Sequence, residues 1–100
     1  MTAILRIEHP VADFDIWREA FDDDPVGRER GGVHSYRIMR SCEDPNYALI
    51  DLEFDTVHCA VEFLAQLRRL WDRVDVIRDP SARIVELVEE RSPLASVERA

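Results

Sequence analysis

Six short segments follow one another in the order strand, helix, strand, strand, helix, strand, and they fill residues 1–90 with almost no linker. That order leaves a short chain very few topologies, because consecutive elements lie side by side and parallel crossovers are right-handed. Thr2–His9 is a strand: Ile4, Leu5 and Ile7 suit a pleated surface, and Pro10 ends it. Asp13 caps the next segment, in which Phe14, Trp17, Ala20 and Phe21 recur at helical spacing against Asp15, Arg18, Glu19 and Asp22. Asp22-Asp23-Asp24-Pro25 ends this helix; Asp24-Pro25 opens a short helical turn through Arg30, which Gly31-Gly32 closes. The Asp triplet is a solvated, capping loop and not a cation site, since no second acidic cluster lies near it. Val33–Arg40 alternates as the second strand. Glu43-Asp44-Pro45-Asn46 is a turn, and Tyr47–Phe54 completes a hairpin. Asp55 or Thr56 caps a long second helix to about Val74, with Ala60, Phe63, Leu64, Leu67, Leu70 and Trp71 as its apolar stripe. After a loop over 75–80, Ala82–Glu89 is the last strand.

This is the βαββαβ order of the ferredoxin-like α+β fold. It predicts one domain over residues 1–90, a four-stranded antiparallel sheet in the order 4-1-3-2, both helices on one face, and a polar tail over 91–100. Side chains alternate between the two faces of each strand. One phase holds Leu5 and Ile7, Tyr36 and Ile38, Ala48, Ile50, Leu52 and Phe54, with Val85 and Leu87; this is the expected helix-covered core. The other holds Ile4, Arg6 and Glu8, Val33, Ser35, Arg37 and Met39, Tyr47, Leu49, Asp51 and Glu53, with Ile84, Glu86 and Val88. That second face is too apolar for open water and too charged for a dry core. Two such sheets packed face to face in a homodimer, with cross-strand ion pairs between Arg6 or Arg37 and the acids, resolve the conflict.

The net charge of −8, from 21 acids against 13 bases, argues against nucleic acid as a partner. All the bases are arginine, so a lysine nucleophile, a Schiff base and a P-loop are excluded. Cys42 and Cys59 form no CxxC pair and are expected as free thiols. No apolar run approaches the roughly 18 residues of a membrane span, and no leader pattern opens the chain, so a cytoplasmic protein is expected.

Ile4-Leu5-Arg6-Ile7-Glu8-His9-Pro10, Phe14-Asp15-Ile16-Trp17 with Phe21, Asp44-Pro45-Asn46-Tyr47, Ile50-Asp51-Leu52-Glu53-Phe54-Asp55 and Arg83-Ile84-Val85-Glu86 together resemble the dimeric α+β barrel superfamily. The resemblance covers residues 1–90 and is to the antibiotic-biosynthesis-monooxygenase-like group, within it to a bacterial subgroup labelled cyclase-like or monooxygenase-like. It implies a homodimer and a pocket for a flat apolar molecule between sheet and helices. The family's monooxygenases can work without a cofactor, because the deprotonated substrate itself activates oxygen. The Asn, Trp and His set of the haem-degrading members does not carry over, since the single asparagine, Asn46, lies in a turn, and nothing marks His58 as a haem ligand.

The alternation and strand directions bring His34, Tyr36 and His58 toward one mouth of the helix–sheet layer. They are the candidate catalytic residues, a histidine as base and Tyr36 as an orienting donor. Trp17, Phe21, Phe54, Phe63 and Trp71 are the candidate ligand-binding residues, with plain core packing as the competing role. Cys59, in the first turn of the second helix, is a small core residue before it is a nucleophile. No metal site and no cofactor are expected. The expected partners are a second copy and a small aromatic metabolite; the competing expectation is a structural or protein-interaction dimer without a ligand.

Overall fold

The computed structural model describes residues 2–24, 27–73 and 80–91. The elements are β1 (Ala3–Pro10), α1 (Phe14–Asp22), β2 (Ser35–Arg40), β3 (Tyr47–Phe54), α2 (Val57–Trp71) and β4 (Ser81–Glu86). The four strands form one antiparallel sheet in the order β2-β3-β1-β4, with β1 and β3 in the middle. This is the ferredoxin-like α+β fold. The end of the second helix at Val74, the proline of the Asp24-Pro25 turn, nearly all of the 75–80 loop and the 92–100 part of the tail lie outside the described residues.

Local chemistry places the helices. The Asp13 carboxylate accepts the Ile16 N–H at 3.1 Å and starts α1; the Thr56 hydroxyl accepts the Cys59 N–H at 3.1 Å and starts α2. Arg68 and Arg69 in the last turn of α2 complement its dipole. Asn46 ties the hairpin turn to α1: its side-chain oxygen accepts the Phe14 N–H at 3.1 Å, and its carbonyl accepts the Val11 N–H at 2.8 Å.

The core lies between the sheet and the helices. Leu5 and Ile7 of β1 face Leu52 and Ile50 of β3, and Phe54, Trp17, Ala60, Phe63 and Leu64 close over them. The register corrects the expected phase of β4. Ile84 lies opposite Leu5 and Ala82 opposite Ile7, so both pack on the core, whereas Val85, opposite Ile4, and Arg83, opposite Arg6, lie on the helix-free face. The doublets Ile84-Val85 and Leu87-Val88 offer an apolar residue to either phase, so only pairing with β1 decides, and a slip of one residue exchanges the faces. Val33 is a second correction. It precedes β2, is held by an N–H bond to the Arg28 carbonyl at 3.0 Å, and belongs to the core and not to the outer face.

Gly31 shows how close the α1–β2 connection comes to α2. A Cβ there would press into Phe63 Cδ1 and stand 2.8 Å from Cε1, against a ring that is almost wholly buried. Gly31→Ala is expected to destabilise the fold by about 1–3 kcal/mol through overpacking. Thermal unfolding checks it, and an unchanged melting temperature would show that the ring can retreat.

Candidate functional site

The backbone of α2 comes within 8 Å of β1, β3 and β4, while α1 stands further off the sheet and reaches it through large rings. Those rings form a row. The His9 and Trp17 ring centroids lie 5.8 Å apart, edge to face; Trp17 and Phe21 lie 5.5 Å apart; Phe21 and Tyr36 lie 5.4 Å apart. Phe14 leans on Trp17 at 5.4 Å. The row runs from a closed end to an open one: His9 and Trp17 are buried, Phe21 is half-buried and Tyr36 is exposed.

Two guanidinium groups rim this layer. Arg28 lies 4.1 Å above the Phe21 ring and 4.9 Å from that of Tyr36, and Arg40 lies 5.0 Å above Phe14. Arg28 is fixed from three sides. Its Nη1 donates to the Phe21 carbonyl at 2.7 Å and lies 3.6 Å from Asp24 Oδ1, and its backbone N–H donates to the same carboxylate at 2.9 Å. Asp24 makes this loop possible by taking a left-handed φ of 53°, which a short polar side chain tolerates better than most. The loop's acids are therefore used as caps and partners; among the described residues no group of three His, Cys, Asp or Glu side chains is placed to hold a metal.

The candidate residues from the sequence each have their own nearest partners. Tyr36 joins Phe21 and Trp17 in the aromatic row. His34, just before β2, has its Nε2 3.4 Å from the carboxylate of Asp55, beside the start of α2. His58, in the first turn of α2 and largely exposed, turns to Glu62 one turn on. No hydrogen bond or ring contact joins these three side chains to one another. Phe54 and Phe63 pack on each other at 5.5 Å within the core, with no ring pairing to the row, and Trp71 packs at the core's edge. Cys59 is half-buried against the backbone of Gly32, and both cysteines are free.

Two residues of the layer went unmarked in the sequence. His9 continues the inward alternation of Leu5 and Ile7, a signal that was present. Burial pushes its pKa below the ordinary histidine value, and its contact with the Pro10 carbonyl at 3.2 Å opposes this. Arg28 stands in a glycine-flanked turn, and nothing local shows which rings it will reach.

The helix-free face is built around one carboxylate. Asp51 is only 1% exposed, yet it lies on this face at the centre of the row Arg83, Arg6, Asp51, Arg37. Arg6 donates to it through Nε and Nη2, both at 2.8 Å, and Arg37 through Nη2 at 3.0 Å. The expected cross-strand pairing of both arginines is thus present, with one shared acid. The hydrogen bond from Arg6, joined by that from Arg37, holds the Asp51 carboxyl below the usual carboxylate range against the opposing effect of burial. At one end Tyr47 donates to Glu8 at 2.8 Å, and that bond raises the phenol's pKa. Because β4 presents Arg83 here in place of Glu86, the face carries three acids (Glu8, Asp51, Glu53) and three bases (Arg6, Arg37, Arg83), and not the acidic excess the sequence phase implied.

No protein-family model matches the chain, and no curated protein does. Solved structures share the fold. The oxygenase SnoaB from Streptomyces nogalater, described as cofactor-independent, superposes with a TM-score of 0.65 at 8% identity, over 89% of this chain and 94% of that one. A dimeric ferredoxin-like protein from an uncultured marine organism gives 0.68 at 10% identity, over 90% and 98%. A candidate antibiotic biosynthesis monooxygenase from Nitrosomonas europaea gives 0.60 at 15% identity, over 84% and 88%. The chain therefore has the fold of the antibiotic-biosynthesis-monooxygenase-like, dimeric ferredoxin-like proteins.

Proposed function

We propose that two copies of this chain join through their helix-free sheet faces into an α+β barrel, and that each binds a small, flat, acidic aromatic molecule at the open end of the row under α1. The observation that carries the ligand is the arrangement of Phe21, Tyr36 and Arg28: two part-open rings with a guanidinium stacked across both. Rings of this kind select a planar apolar body, and Arg28 with Arg40 favours one that carries or develops negative charge. The chemistry that fits is cofactor-independent oxygenation or a cyclase-like step on a deprotonated ligand. In it His34, paired with Asp55, takes the proton and Tyr36 orients the ligand. His58, turned to Glu62, is the least connected of the three candidates. The likeness to a cofactor-independent oxygenase supports this reading at the level of fold. No helix among the described residues is long and apolar enough to cross a membrane.

A second reading, a structural or interaction dimer without a ligand, is favoured by the close packing of Trp17, 7% exposed, on His9, Phe14 and Phe21. A thermal-shift comparison of 2-naphthoic acid, 1-naphthol and naphthalene separates the two. The ligand reading expects 2-naphthoic acid and 1-naphthol to raise the melting temperature more than naphthalene, and Arg28→Ala and Tyr36→Leu to lose the effect. No shift with any of them leaves the structural dimer.

A further inference from the structure

We infer that Arg83 of each protomer pairs with the partner's Glu53 across the sheet-to-sheet contact, so that two equivalent ion pairs fix how the copies meet. The inference rests on the dimeric reading above and adds the residues that specify it.

Within one protomer nearly every charge on the helix-free face is matched. Arg6 and Arg37 share Asp51, and Glu8 accepts from Tyr47. Among the described charged side chains of this face, Arg83 and Glu53 alone have no side-chain ion-pair or hydrogen-bond partner, and they are opposite in sign. They cannot readily reach each other at home. Arg83 lies opposite Arg6 and Glu53 opposite Ile4, so β1 separates them and they are offset by two residues. Strand spacing and rise put their Cα atoms about 12 Å apart.

A two-fold contact removes the mismatch. When the same patch meets itself, residue i of one copy touches residue j of the other and the reverse, so one complementary pair is satisfied twice. The face is also otherwise suited to a second copy. Its three acids and three bases cancel, which gives a polyanion nothing to hold. Leu49, Met39 and Val85 lie between the charges as apolar contact area. Asp51 answers Arg6 and Arg37 within the protomer, leaving Arg83 and Glu53 as the charges that a partner must answer. Closing two sheets on each other removes water from this face, and a charge left unanswered there opposes association.

The test is sedimentation velocity of the full chain over a dilution series. Arg83→Glu and Glu53→Arg are each expected to weaken self-association roughly a hundred-fold or more, since like charges then meet twice. Mixed in equal amounts, the two variants are expected to form a dimer with each other, because each then offers what the other needs. Combining both substitutions in one chain restores self-association as well. The neutral variants Arg83→Gln and Glu53→Gln guard against a folding defect: each weakens the dimer, and the double variant is no weaker than either single. Singles that dimerise like the wild type, or variants that do not recover on mixing, overturn the pairing while leaving the dimer in place. A wild type that is monomeric at every concentration overturns the dimer itself and the pairing with it.

Discussion

Asp51→Ala is expected to lower the stability of the fold by about 2–4 kcal/mol at neutral pH, a large part of the roughly 5–15 kcal/mol that holds a domain together. The substitution leaves two guanidinium groups side by side with no counter-charge and opens a gap at a site that is 1% exposed. Arg6 and Arg37 are themselves about half exposed, so water recovers part of the loss and the effect falls short of that for a fully buried pair. The same carboxylate predicts an acid dependence. Its pKa is lower in the folded protein than in the unfolded chain, so the unfolded state binds the proton more readily. Its contribution is complete above the ordinary carboxylate value of about 4 and is lost as pH falls through the depressed native value. Urea unfolding from pH 7 to pH 3 should show this decline in the wild type and a shallower one in Asp51→Asn. A loss below about 1 kcal/mol on substitution by alanine would mean that solvent replaces the carboxylate almost fully.

Leu49→Arg is expected to abolish the dimer. Leu49 sits between Glu8 and Met39 on the helix-free face, half-buried in the isolated protomer and without a role in the helix-side core. An arginine there adds a fourth cation to a face whose charges now cancel and removes apolar contact area from both copies. The expected weakening is about 3–5 kcal/mol, the cost of a charge brought into an interface with no partner. Light scattering reads the mass, and circular dichroism should show the protomer still folded. A dimer that survives the substitution would place the contact elsewhere on the molecule.

The elements were legible where local chemistry and alternation agreed. Asp44-Pro45-Asn46 followed by Tyr47–Phe54 gave β3 with its bounds and faces; Asp13 marked the first helix start and Asp55 or Thr56 the second, where Thr56 is the cap. β4 was legible as a strand but not in phase, because Ile84 and Val85 are equally apolar and only the ladder to β1 chooses between them. That one-residue ambiguity hid the most informative charge of the outer face, since it put Glu86 where Arg83 stands. The aromatic row was legible in part. Helical spacing joined Trp17 to Phe21, and strand alternation turned Tyr36 to the same side. The loop that brings Arg28 back over both rings depends on a left-handed Asp24 and a close passage at Gly31, which sequence periodicity does not encode. Topology drew His34 and His58 toward one mouth; the carboxylates they meet, Asp55 and Glu62, depend on side-chain geometry and not on order along the chain.

The central claim is that the helix-free face, with its buried Asp51 and cancelling charges, is covered by a second copy. Sedimentation equilibrium of the wild-type chain at micromolar concentration tests it most directly. The predicted result is a single species of twice the 11.6 kDa chain mass. A species of 11.6 kDa that persists at the highest concentration, with that face open to water, would contradict it.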